Sequence, residues 1–177
     1  MTNILSKCRK GLRRFRNAFR SFWWFLIGNK YARRSYSHNG EDMVLRAVFA
    51  RYPSTYPGFY IDIGAHHPMR FSNARFFYEN GWNGLCVDPL PGCSKLYSRQ
   101  RPRDMFIEAG VAEEEGEMTY FMFAEPALNT FSEKIGQENA ARVKARKKVK
   151  VYPLRRILVD YLPPVRKIDF LLMDVLR

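Results

Sequence analysis

The 177 residues suffice for one ordinary domain with a real core and are too few for two large ones. Hydrophobic residues at 46% and charged residues at 27% exclude a disordered or fibrous chain, and the three cysteines (Cys8, Cys86 and Cys93), which lack paired spacing, exclude a disulfide framework or a zinc knuckle. The formal charge of +13 is unevenly placed: residues 1–40 hold ten Lys or Arg and no acid, whereas residues 41–177 hold 20 basic and 17 acidic side chains.

From Leu5 to Leu26, apolar or soft residues recur at Leu5, Cys8, Leu12, Phe15, Phe19, Phe22 and Leu26, alternating steps of three and four. That spacing places them on one helical stripe. Lys7, Arg9, Lys10, Arg13, Arg14, Arg16 and Arg20 fill much of the remaining surface. A basic amphipathic helix of this kind, in a segment spanning 1–34, suits an anionic membrane surface or an acidic partner through residues 1–30; packing against its own domain is the plainer alternative. Nucleic acid is not expected, because the aromatics are segregated from the charges and form no interleaved stacking platform. The longest apolar run, Phe22–Ile27, is six residues. A membrane span needs about 20, and a signal peptide needs a core of roughly 7–15 with a cleavage site. With the unpaired cysteines, this leads us to expect a cytoplasmic protein, peripheral at the membrane through its N-terminus.

After Gly28-Asn29, a body over 35–177 begins with Ser35-Tyr-Ser-His-Asn-Gly-Glu-Asp42 and a helical run Met43–Arg51, ended by Pro53 and Pro57. Phe59–Ile63 reads as a buried strand, Ser72 as the N-cap of a helix stopped by Gly81, and Leu85–Pro89 as a second strand. Met105–Val111 is a third, followed by the strand-like Met118–Phe123. A polar helix is expected from Ser132 to Ala145, with the basic run Arg142–Lys150 as a solvated face and loop. Leu154–Tyr161 reads as helix and Ile168–Met173 as an apolar strand ending at Asp174. The alternation predicts an α/β fold, a Rossmann-like doubly wound sheet in the order 3-2-1-4, incomplete, with helices on both faces.

The stretch Gly58-Phe-Tyr-Ile-Asp-Ile-Gly-Ala-His-His-Pro68 concentrates the chemistry. His66 and His67 are adjacent and point to opposite sides of an extended segment, so no metal site is expected. Gly64 lets a ligand approach the turn after the strand. Asp88, 24 residues later, ends the next strand where an acid accepts hydrogen bonds from ribose hydroxyls. No G-x-G-x-x-G is present, so a pyrophosphate grip is poorly supported. A nucleoside cofactor without a diphosphate, such as S-adenosylmethionine, fits better.

The runs Ser35–Met43, Gly58–Pro68, Arg70–Asn73, Gly81–Pro89, Arg101–Asp104, Glu125–Ser132 and Ile168–Val175 together resemble the FkbM-type methyltransferases. The resemblance implies an S-adenosylmethionine-dependent enzyme with a Rossmann-like fold, acting on a hydroxyl of a sugar or small metabolite. Carried over by position, Asp62, Gly64 and Ala65 form the first cofactor loop and Asp88 is the ribose acid. Glu108 lies near the adenine, Asp174 lies at the crevice edge, and Glu41 with Asp42 closes over the cofactor. The family's Asp-Val-Glu-Gly motif here reads Asp174-Val-Leu-Arg177 and stops. The expectation is therefore an N-terminal portion of such a domain with impaired activity. A non-catalytic membrane-surface interaction protein on a degenerate methyltransferase scaffold is the alternative.

Overall fold

The structure is a computed structural model that describes residues 32–162 and 167–174. The amphipathic stripe expected over residues 5–26 lies outside them. Ser35–Arg177 forms one compact unit, distinct from Met1–Arg34, and the elements below belong to it.

The helix α1 (Glu41–Phe49) starts two residues earlier than its apolar pattern suggests, because Glu41 and Asp42 stabilise its first turn against the positive end of the helix dipole. The strand β1 (Phe59–Ile63) has the bounds read from sequence and is buried at every position. Helix α2 (Arg75–Glu79) follows, then β2 (Asn83–Val87), α3 (Cys93–Gln100) and β3 (Met105–Ile107). After a second small sheet and the helix α5 described below, β7 (Phe170–Met173) returns beside β1. All pairings are parallel and the order is β3-β2-β1-β7. This is the expected 3-2-1-4 arrangement.

Period-two alternation sends β1 side chains into two cores. Phe59, Ile61 and Ile63 join Leu85, Val87 and Ile107 on one face, and Tyr60 joins Phe77, Trp82, Cys86 and Tyr97 on the other. Leu154, Ile157 and Leu158 of α5 (Leu154–Tyr161) cover the first face, while residues of α1, α2 and α3 cover the second. Covering both faces is what parallel strands require. At the β7 edge, Phe170 and Leu172 pack into the second core, whereas Leu171 and Met173 stay exposed.

Four sequence expectations are corrected. The run expected as one strand over 105–111 is two: it breaks at Glu108-Ala109, and β4 (Gly110–Val111) enters a separate sheet of order β4-β6-β5. The basic run is not a helix end and loop; Ala145–Tyr152 is β6, antiparallel to β5 (Gly116–Met122), with Arg146, Lys147, Lys148 and Lys150 exposed. The polar helix is correspondingly short, α4 (Glu133–Glu138), capped by the Ser132 hydroxyl. Finally, Ser72 caps nothing, since its Oγ takes the Arg101 Nη1 at 2.9 Å.

Among the described residues, no helix is long and apolar enough to cross a membrane.

Candidate functional site

The carboxyl ends of β1, β2 and β7 open into a cavity of about 790 Å³, lined also by β4, β5 and the loop 125–131. It lies where the strand order reverses, which is where open α/β sheets bind ligands. Volumes of roughly 300–1,000 Å³ accommodate small organic ligands.

The floor is fixed by backbone bonds. Gly64 and Ala65 both donate to the Val87 carbonyl, at 2.9 and 3.2 Å, and Asp174 donates to the Ile63 carbonyl at 2.9 Å. The turn after β1 is thereby stitched to both neighbouring strands. Gly64 has φ +83°, a conformation open to glycine and strained for other residues. His66 and Phe71, both in the cavity wall, hold left-handed backbone at φ 48° and 55° without being glycine. Such strain persists only where surrounding structure enforces it, and it concentrates at functional sites. Here the enforcement is visible. The Asp88 carboxylate accepts the His66 N–H at 2.8 Å, and the Cys93 thiol donates to the His66 carbonyl at 3.3 Å.

Asp88 bridges two loops, since its other oxygen accepts the Leu90 N–H at 2.8 Å. Burial pushes its carboxyl above the ordinary range, and those two amide bonds oppose the shift. Asp62 lies deeper, at 3% exposure, and burial drives its carboxyl up to about 7 despite the nearby Arg101 guanidinium.

Across the mouth, Arg70 grips Glu125 with two bonds of 2.8 Å, Nη1 to Oε1 and Nη2 to Oε2. This bidentate clasp, reinforced by the Ala127 amide, holds Glu125 down to about 2. His67 turns away: its Nδ1 accepts the N–H groups of Met69 and Arg70, at 3.0 and 3.2 Å, and it caps the turn. His66 faces the cavity instead.

Of the residues singled out from sequence, Gly64, Asp88, Asp174 and Glu41 line this one cavity. Ala65 and Asp62 are buried behind it. Glu108 is not in the wall; its oxygens accept the Gly92 and Ser94 amides at 3.0 and 3.1 Å, capping the start of α3. Asp42 is fully buried and holds Ser35, Ser37, Tyr36 N–H and Arg46 in a network that anchors the chain before α1. Sequence reasoning gave no role to His66, Arg70, Asn73 or Glu125. For Arg70, Asn73 and Glu125 the only signal was membership of the polar-aromatic runs Arg70–Asn73 and Glu125–Ser132 after strand ends, whereas His66 stood in the run Gly58–Pro68 and was weighed only as a metal ligand.

Residues 62–175 match the family model described as the methyltransferase FkbM domain. No curated protein matches the chain, and no solved structure does.

Proposed function

Because the chain belongs to the FkbM methyltransferase family, we propose that its cavity binds S-adenosylmethionine and that a methyl group passes from it to a hydroxyl oxygen of a sugar or small metabolite. The observation that carries this reading is the convergence of Gly64 and Asp88 on one cavity at the strand-order reversal.

The donor set fits such a cofactor. Asp88 keeps lone pairs beyond its two amide bonds, enough for a pair of ribose hydroxyls. Val87, Pro89, Ala109, Val111 and Met118 supply an apolar wall beside it for an adenine ring. Asn73, another wall residue, carries a buried Oδ1 with no hydrogen-bond partner, unmet polar capacity of the kind that ligand sites retain. Ala65 and the buried Asp62 support the loop from behind, and Glu108 fixes the start of α3 beneath the same pocket. When bound, the cofactor supplies a methyl carbon on a sulfonium, whose bond to sulfur breaks as an acceptor oxygen takes the carbon. The protein's share is to hold both partners in line and exclude water.

In the same reading the protein works in the cytoplasm, and the basic stripe of residues 1–30 attaches it to an anionic membrane surface.

Calorimetric titration with S-adenosylhomocysteine tests the assignment. Binding that weakens at least tenfold on Asp88→Ala supports it (about 1.4 kcal/mol); a folded chain that binds no S-adenosylhomocysteine overturns it.

A further inference from the structure

We propose that His66 accepts the proton of the acceptor hydroxyl during methyl transfer, an assignment that rests on the methyltransferase reading. The proton passes from the hydroxyl oxygen to an imidazole nitrogen. The freed oxygen electron pair makes the new bond to carbon, and the departing thioether keeps the pair of the bond that breaks. His66 then returns the proton to solvent.

Geometry carries the assignment. His66 lines the cavity directly after the Gly64-Ala65 turn, in a left-handed conformation at φ 48° that Asp88 and Cys93 hold from both sides. These bonds consume its backbone groups only. Its ring nitrogens carry no hydrogen bond from any described residue, and its nearest aromatic neighbour is His67, 6.4 Å away between ring centroids. A costly backbone conformation that delivers a free imidazole into a ligand cavity has no evident structural use.

Of the wall's other carboxylates, Asp88, Glu125 and Glu41 are committed elsewhere, which leaves Asp174 after β7 as the one without a side-chain partner among the described residues. Asp88 accepts two amides and its remaining lone pairs face the ribose in this reading, and both oxygens of Glu125 are taken by Arg70, which leaves Glu125 a feeble base at about 2. The Glu41 oxygens accept the Asn39 amide groups at 3.0 and 3.1 Å. His38 packs edge-on against Phe71 at 4.7 Å, a contact that leaves its ring nitrogens unused, and it lacks the enforced backbone of His66.

Charges facing His66 agree with the role. Burial first, and then the Arg70 guanidinium, hold its imidazole below the ordinary histidine range, while Glu125 pulls the other way. His67, the Asp88 carboxylate and the Cys93 thiol are its other titratable neighbours. A lowered value favours the neutral imidazole, the form that can take a proton.

The test uses the full chain with ring-labelled histidine, titrated by NMR free, with S-adenosylhomocysteine, and with sinefungin, whose ammonium replaces the methylated sulfonium. His66→Asn, a substitution that tolerates the left-handed backbone, assigns the resonance. If His66 faces the transfer point, the cation of sinefungin lowers its titration midpoint by about one pH unit or more beyond the shift seen with the neutral thioether. Binding of both nucleosides with equal His66 midpoints overturns the assignment and leaves the methyltransferase reading standing. A folded chain that binds neither nucleoside overturns both, and one that binds S-adenosylhomocysteine but excludes sinefungin overturns the His66 assignment alone.

Discussion

The carbonyl oxygen of Asp174 occupies the space a β-carbon on Gly64 would need, 2.0 Å from its ideal position. The turn after β1 and the end of β7 are therefore in backbone contact, and the glycine is demanded by the fold before any ligand arrives. Gly64→Ala should cost about 1–2 kcal/mol for the left-handed backbone and about 1–3 kcal/mol more for displacing β7. Urea unfolding measures the sum. A variant as stable as the parent would show that β7 yields freely at that point.

Beneath the sheet ends, Arg101 is 1% exposed and reaches Asp104 at 2.6 Å, Tyr60 Oη at 2.7 Å and Ser72 Oγ at 2.9 Å. Asp104 in turn accepts the Gly84 N–H at 2.9 Å. Arg101→Met leaves that carboxylate buried without its cation, a loss of about 3–5 kcal/mol. Adding Asp104→Asn should recover part of it, because the neutral amide no longer needs a counter-charge. The double-mutant cycle is read by chemical denaturation; equal losses in the single and double variants would argue against the pairing.

This network also shows why some of the site was hidden in the sequence. Phe59–Ile63 was legible because an apolar run between glycines, broken only by Asp62, has little alternative to a central strand. The Ser72 hydroxyl was misread as a local cap because its partner is 29 residues away. Glu108 goes to amides 14 and 16 residues back along the chain, again beyond local pattern. The strand β6 was missed since its charged side chains mask the inward Val149 and Val151, and only pairing with β5 reveals the alternation. The placing of Asp88 and Gly64 at strand ends was legible because a strand end is a short-range feature.

Asp62 predicts a pH dependence. Its carboxyl titrates at about 7 in the folded chain against an ordinary value of 3.8. The native state thus retains a proton that the unfolded chain has lost between those values, so stability falls as pH rises through that window. Above it both states are ionised and the full burial cost, of order a few kcal/mol, is present. Asp62→Asn should flatten the decline between about pH 4 and pH 7. An unchanged slope in the variant would mean that another group carries the proton.

Residues 1–30 should confer vesicle binding. Each basic residue near an anionic surface contributes about 1 kcal/mol, screened by salt. The full chain should co-sediment with phosphatidylserine vesicles at low salt, and a chain lacking residues 1–30 should remain in the supernatant. Equal sedimentation of the two would assign the attachment elsewhere.

The Arg70–Glu125 clasp joins the loop after β1 to the loop after β5 across the cavity mouth. Both side chains are solvent-exposed, at 46% and 41%, so the pair adds little to global stability. Its consequence is local: it restrains the strained backbone at Phe71 and the short turn Pro126–Leu128. Arg70→Ala should leave the unfolding midpoint nearly unchanged while speeding amide exchange at Phe71–Asn73 and Ala127–Asn129. Because Arg70 holds Glu125 down to about 2, the clasp is an ion pair above that value and is lost only as pH falls through it. Mild acidification to about pH 4 should therefore leave the exchange pattern intact once the intrinsic rate is corrected. High salt, which screens exposed pairs, should mimic the substitution. Exchange mass spectrometry follows both segments at once; protection that survives both Arg70→Ala and high salt would show that packing by Phe71 and Phe131, and not the ion pair, keeps the mouth closed.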